Sequence, residues 1–202
     1  MPDRQRPVRV PGTALARDLI TLDRAVYETV AVTNTPTMDS ALRRLSRAAD
    51  HSKISLAAAG LLALRPGRSR RAAILGVAAI GVASTSANLI GKRLVRRPRP
   101  HRDADSPFPG RYVRMPESAS FPSGHTASAV AFAAAVGTAL PVATVPLGLL
   151  ACAVGYSRVH TGVHYPGDVL AGAVLGTGAA AAVLATAGPV SQLNLPRVLR
   201  RP

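Results

Sequence analysis

Apolar residues recur at three- and four-residue steps across residues 13–32, where Leu15, Leu19, Leu22, Val26 and Val30 alternate with Arg17, Asp18, Asp23, Arg24 and Glu28. That spacing follows the turn of a helix, so the segment is expected to be an amphipathic one. Thr33-Asn34-Thr35-Pro36 ends it, and Thr37 or Asp39 can cap a second helix. The second carries a stripe of Met38, Leu42, Leu45 and Ala49 opposite Arg43, Arg44 and Arg47. Both suit either the flank of a bundle or a membrane interface.

Beyond residue 50 the pattern changes to four apolar stretches, residues 54–64, 72–90, 126–156 and 169–187. The second and fourth have the ~20 residues that a membrane-spanning helix needs. The first is too short unless it borrows turns from the preceding Arg-bearing helix. The third is too long for one span, and Pro141 and Pro146 are placed to break it into a hairpin of two short helices. Mean hydropathy is a modest +0.19, yet uncharged runs of this length seldom pack inside so small a soluble domain. The expected fold is all-α, a membrane-embedded bundle of about five to six core helices. A tail and the amphipathic helices fill residues 1–50, the core residues 51–190, and a basic tail residues 191–202.

Three polar islands interrupt the apolar pattern. They are Lys92 with Arg99-Pro100, then Pro122-Ser123-Gly124-His125, then Ser157-Arg158 with His164 and Asp168. If the third stretch is a hairpin, all three emerge on one face of the membrane; a single span would strand the third island on the other. Gly and Pro cluster across residues 98–122, which marks one long polar loop, and loops of that length are usually functional.

Charge narrows the partner. Lys and Arg number 25 against 10 Asp and Glu, a net +15, so the partner is anionic. Three Phe, four Tyr and no Trp give little to stack bases, and no nucleic-acid fold signature accompanies the charge, which argues against nucleic acid. A lone Cys152 rules out an internal disulfide and is expected to be a small buried hydrophobe. The first twelve residues, charged and proline-bearing, do not read as a signal peptide.

Each island has a bland reading and a chemical one. The Lys92–Arg99 segment also holds Arg93, Arg96 and Arg97, and taken alone it is as well read as a headgroup-binding run. Arg grips two phosphate oxygens with one planar fork while Lys supplies a mobile charge. Ser123 and Gly124 stand before an apolar run, where free backbone N–H groups form an anion cradle, or where Ser123 simply caps a helix. His164 and Asp168 are four apart, so the carboxylate can accept from one ring nitrogen and leave the other as a nucleophile. Metal ligation by the histidines is disfavoured, since no cysteine or acidic cluster joins them and the cations would repel a metal.

Together the islands closely resemble the type 2 phosphatidic acid phosphatases, the lipid phosphate phosphatases that share a core with vanadium haloperoxidases and bacterial class A acid phosphatases. That signature is Lys, six residues, Arg-Pro; Pro-Ser-Gly-His; then Ser-Arg, five residues, His, three residues, Asp, and every fixed position is present. The resemblance implies that Lys92, Arg99 and Arg158 bind the phosphoryl oxygens with Ser123 and the Gly124 amide. It further implies that His164, oriented by Asp168, attacks phosphorus to give a phosphohistidine, and that His125 protonates the leaving group and then activates water. No cofactor or metal is implied. His51 and His160 lie outside the signature and are expected to be structural or at the rim.

The expected function is therefore a metal-independent, multi-pass membrane phosphatase acting on a lipid phosphate or diphosphate such as phosphatidate, phosphatidylglycerophosphate or a polyprenyl phosphate. Its partners are that substrate and the bilayer. Two alternatives are a soluble acid phosphatase or haloperoxidase on the same core, and a non-catalytic membrane protein that binds acidic lipids. Charge does not choose a side of the membrane. Arg93, Arg96, Arg97, Arg102, Arg111 and Arg114 are roughly balanced by Arg65, Arg68, Arg70 and Arg71 together with Arg197, Arg200 and Arg201. Resemblance alone places the site on the extracytoplasmic face of the cell membrane.

Overall fold

The computed structural model describes residues 13–102 and 108–188, so the amino-terminal run and the basic tail lie outside the described residues. Seven helices run through them, and no strand occurs among them. Helix α1 (Ala14–Val32) and α2 (Pro36–Ala48) are followed by α3 (Lys53–Ala63). Helix α4 (Arg68–Leu94) is α-helical to Thr85 and passes through a wider π-turn at Ser86–Gly91 before it ends. A long loop then leads to α5 (Gly124–Ala139), α6 (Thr144–His160) and α7 (Pro166–Thr186).

The long third stretch is the expected hairpin. Leu140 leaves helical geometry and Pro141 opens a short 3-10 turn, so α5 and α6 run back to back; Pro146 sits harmlessly in the first turn of α6, where no backbone donor is required. The start of α2 differs from expectation. Pro36 is its first residue, Thr35 precedes it, and Asp39 lies inside the first turn, where it accepts from the Thr35 hydroxyl at 2.9 Å. Proline, preset for the first helical position, fixes the start ahead of Thr37.

Helix α5 is the axis of the bundle and packs on α4, α6 and α7. Its core partners are small, with Ala72, Ala79 and Ala83 of α4 and Ala179 and Ala180 of α7 closing on Ala127, Ala131, Phe132, Ala135 and Val136. Such residues let backbones approach closely, which drives helix association where no water is present to be expelled. Gly172 and Gly176 carry this furthest. A Cβ on them would stand 2.5 Å from the Ser123 carbonyl and 2.4 Å from the Ala127 carbonyl.

Large apolar side chains point outward instead. Leu61, Ile74, Val145, Leu149, Leu170 and Val174 are all exposed, and α4, the Pro141–His160 segment and α7 are each long and apolar enough to cross a membrane with only 22–41% of the apolar window buried. That much bare apolar surface is unfavourable in water and matches a hydrocarbon surround. Cys152 belongs to this outer surface of α6, a correction to the expected burial: an all-round apolar helix has no sequence signal for which side meets its neighbours.

Helices α1 and α2 lie over one end of this bundle. The α1 stripe of Leu15, Leu19, Leu22 and Val26 is exposed, while Asp23 and Tyr27 face inward. Pairing decides this orientation, because Asp23 reaches Arg97 and the Gly167 amide, both at 2.6 Å. Arg111, fully buried, ties the layer together. It donates to the carbonyls of Val30, Ala31 and Thr33, satisfying the open end of α1, and pairs with Asp39 at 3.2 Å. Asp39 also meets His160 Nε2 at 2.9 Å, which gives His160 the structural place expected for it.

Candidate functional site

The carboxyl end of α4, the amino end of α5, the carboxyl end of α6 and the amino end of α7 meet at the same end of the bundle, beneath α1 and α2. The three islands therefore converge. Lys92, Arg99, Gly124, His125, Arg158 and His164 all line one cavity of about 230 Å³. Ser123 and Asp168 do not line it. Both are completely buried behind it.

The cations are anchored by neutral oxygens. Lys92 Nζ donates to Asn88 Oδ1 at 2.7 Å and to Ser118 Oγ at 3.1 Å. Arg99 donates to the carbonyls of Ser118, Val163 and Ala119 at 2.8, 2.7 and 3.2 Å. Arg158, 2% exposed, donates to Ser46 Oγ at 2.6 Å, and its buried Nε has no partner among the described residues. A buried cation with an unused donor at a cavity wall is suited to an oxyanion.

His164 sits in the turn between α6 and α7, held there by its amide donating to the Arg158 carbonyl at 3.2 Å. Its Nε2 faces Arg99 Nη1 at 3.4 Å, and its Nδ1 faces Asp168 Oδ2 at 3.6 Å, an ion-pair separation longer than a hydrogen bond. An Arg donor on Nε2 favours the tautomer with its proton on Nδ1 and a lone pair on Nε2. Burial, reinforced by Arg99 and Arg158, pushes the His164 imidazole down to about 4 from its ordinary 6.5, against the pull of Asp168. It is neutral at physiological pH.

Asp168 occupies the first turn of α7. It accepts from the Tyr165 amide at 2.9 Å and from the Ser120 hydroxyl, and pairs with Arg97 at 3.0 Å. Arg97 in turn lies 4.1 Å over the Tyr165 ring and reaches Asp23 of α1. On the opposite wall, His125 is in the first turn of α5, and its Nε2 meets Asp50 Oδ1 at 2.8 Å. Asp50 is 3.8 Å from Arg158 Nη1 as well. The turn that presents it is strained: His51 and Ser52 both take left-handed φ, 55° and 59°, which costs non-glycine residues about 1–2 kcal/mol each.

Ser123 takes the capping place that its bland reading allowed. Its hydroxyl accepts from Thr126 Oγ1 at 3.0 Å and from the Thr126 amide at 3.5 Å, while its own amide is bound to the Asp168 carbonyl at 2.9 Å. Sequence reasoning missed Asp23, Asp50, Arg97, Ser118 and Ser120. Arg97 stood inside the island and was legible as one more cation. Asp50 is 75 residues from its histidine and Asp23 is 74 from its arginine, and both read locally as polar positions near amphipathic helices.

Similar proteins identify the family and the fold. The chain is 40% identical over 164 residues to the decaprenylphosphoryl-5-phosphoribose phosphatase of Mycobacterium tuberculosis, a match spanning 78% of this chain and 85% of that protein. It is 40% identical over 98 residues to the lipid A 1-phosphatase of Rhizobium etli, covering 45% of this chain and 39% of that one. The fold is that of two solved structures. One is a transmembrane PAP2 type phosphatidylglycerolphosphate phosphatase from Bacillus subtilis, with a TM-score of 0.64 and 20% identity over 82% of this chain and 84% of that one. The other is Aquifex aeolicus LpxE, with a TM-score of 0.66 and 22% identity over 81% and 95%. Residues 72–190, which hold every island and most of α4 together with α5, α6 and α7, match the family model described as PAP2 superfamily, and the chain belongs to that superfamily as a membrane phosphatase.

Proposed function

We propose that this phosphatase hydrolyses a lipid phosphate or diphosphate through a phosphohistidine, without a metal. The carrying observation is the position of His164 Nε2, 3.4 Å from Arg99 in the cavity that also holds Lys92, Arg158 and His125. Phosphatidate, phosphatidylglycerophosphate and polyprenyl phosphates all present the required phosphoryl group, and the named relatives act on a polyprenyl-linked phosphoribose and on lipid A.

In this reading Lys92, Arg99 and Arg158 hold the phosphoryl oxygens, with the free amides at the start of α5 beside them. His164 Nε2 attacks phosphorus in line; a P–N bond forms as the P–O bond to the lipid breaks, and His125, pushed down to about 4 by burial and Arg158 in the resting protein and protonated as the phosphate dianion binds beside it, gives its proton to the departing oxygen. Water then attacks the phosphohistidine, His125 takes the proton, and inorganic phosphate leaves. Asp168 favours the Nδ1–H tautomer and balances the charge that develops on the ring. Ser123 contributes by capping α5. Asp50 is a positioning residue, whose carboxylate orients His125. Cations and imidazoles form a donor set for an oxyanion, and no group of three or more metal-binding side chains occurs among the described residues.

On this reading the protein is a multi-pass enzyme of the cell membrane, with three helices apolar enough to span it in support, and the family resemblance favours a site on the extracytoplasmic face. A cysteine substituted for exposed Glu117, in a Cys152→Ala background, should react with a membrane-impermeant maleimide added to intact cells; labelling only after lysis would reverse the orientation.

Purified protein in detergent should release phosphate from a lipid phosphate in the presence of a chelator. It should also form an acid-labile, base-stable phosphoenzyme that His164→Ala abolishes, along with roughly 10³-fold or more of the turnover. Activity that survives His164→Ala rejects the phosphohistidine, and activity lost to the chelator rejects metal independence. A second test concerns pH. His164 must be neutral to attack, so activity is lost as pH falls through its folded value. Measured with p-nitrophenyl phosphate, whose leaving group needs little acid help from the similarly depressed His125, and corrected for ionisation of the substrate phosphate, the acid limb of kcat/KM should fall near 4, whereas a limb near 6.5 would mean a charged resting imidazole. Third, Asp50→Asn should lower turnover of an alkyl phosphate by about 10- to 100-fold and that of p-nitrophenyl phosphate only slightly, because a good leaving group needs little acid help. Equal losses on both substrates would deny Asp50 its link to the acid.

A further inference from the structure

The phosphate cavity adjoins a larger one of about 610 Å³, and the two share Asp50, His51, Pro116, His125 and Arg158 in their walls. Arg47 from the last turn of α2, Lys53 from the first turn of α3 and Arg114 from the long loop line only the second. None of the three side chains has a hydrogen-bond or ion-pair partner among the described residues. Glu117 is the one carboxylate in that wall besides Asp50, and Asp50 is engaged by His125 and Arg158. Unpaired cations around a cavity repel one another and raise its affinity for anions.

Reaction geometry says what enters it. His164 attacks from one side of phosphorus, so the leaving oxygen departs on the opposite side and meets His125 there. Whatever that oxygen carries lies beyond His125. Besides the phosphate cavity, two openings among the described residues touch His125. One is an apolar crevice between α3, α5 and α6 lined by Ile54, Phe132, Leu147 and Val154, with about 10 Å³ of free space, enough for about one water-sized sphere. The other is the 610 Å³ cavity, whose size falls in the range of about 300–1,000 Å³ common for small-molecule sites.

We propose that this second cavity is an anion subsite for the leaving group. Its ligand is the internal phosphodiester of a lipid-linked phosphosugar, in which the phosphate removed and the phosphate joined to the lipid sit on one sugar ring. The sugar would rest near Asp50 and His125, and the phosphodiester farther out among Arg47, Lys53 and Arg114. A lipid diphosphate fits less well, because its second phosphoryl group would stand directly at His125, against the Asp50 carboxylate. A diacylglycerol leaving group carries no anion for these cations. This inference rests on the phosphatase reading and narrows its substrate class.

The experiment compares three substrates in nonionic detergent: a short-chain prenylphosphoryl-phosphoribose, a prenyl diphosphate and phosphatidate. They are assayed with the full chain and with Arg47→Gln, Lys53→Gln, Arg114→Gln and the triple variant. Each single substitution should lower kcat/KM for the phosphosugar several-fold, and the triple variant by about 30-fold or more. Phosphatidate turnover should stay within about twofold, which also shows that the variants fold. Equal losses on phosphatidate and phosphosugar would make the three cations general headgroup anchors and overturn the subsite. So would an unchanged phosphosugar rate, or a loss confined to the diphosphate. A parent chain that hydrolyses none of the three fails at the phosphatase reading itself, a result distinct from failure of the subsite.

Discussion

In the proposed mechanism three cations must stand around one small cavity without being neutralised before the substrate arrives, and much of the architecture around that cavity fits such a requirement. Lys92, Arg99 and Arg158 repel one another, and a carboxylate beside each would stabilise the resting protein at the expense of phosphate affinity. Instead the chain anchors them mostly on neutral oxygens: the Asn88 amide, the Ser118 and Ser46 hydroxyls, and the carbonyls of Ser118, Ala119 and Val163. Orientation is fixed while positive charge is retained.

Among the described residues only Asp50 comes within ion-pair distance of one of the three cations, 3.8 Å from Arg158, and it sits closer to His125, at 2.8 Å. Asp168 stands behind His164, shared with Arg97, Ser120 and the Tyr165 amide, and Asp23 takes the other side of Arg97. Asp50 is set on His125 by a strained left-handed turn. The amphipathic helices thus complete the site from above, and the bundle supplies it from below, with α5 as the shared wall. Close approach of α7 to α5 at Gly172 keeps the Ser123 cap and Asp168 in one unit, joined by the bond from the Ser123 amide to the Asp168 carbonyl.

Much of this was legible in the residues. Apolar run lengths marked three of the bundle helices, and Pro141 marked the break that turns the chain back and brings Arg158 and His164 to the side of Lys92 and His125. The islands named the cavity's principal groups because their chemistry depends on residue type and spacing within a short segment. Longer-range pairings left no such trace. Asp23, Asp50 and Ser46 are ordinary polar residues in or beside amphipathic helices, and only the docking of α1 and α2 onto the bundle end gives them partners. Ser123 shows the converse. Its motif position suggested a phosphate contact, yet a hydroxyl in front of free helix amides is satisfied locally, and the helix takes it.

Orthovanadate adopts the five-coordinate geometry of an in-line phosphoryl transition state, so its binding reads the assembled cavity without turnover. Calorimetric titration of the detergent-solubilised protein should show one vanadate bound per chain, weakened about 100-fold or more in Arg158→Met while Ser123→Ala binds within a few-fold of the parent. Undiminished binding to Arg158→Met would contradict the claim that cations held by neutral oxygens form the phosphate site.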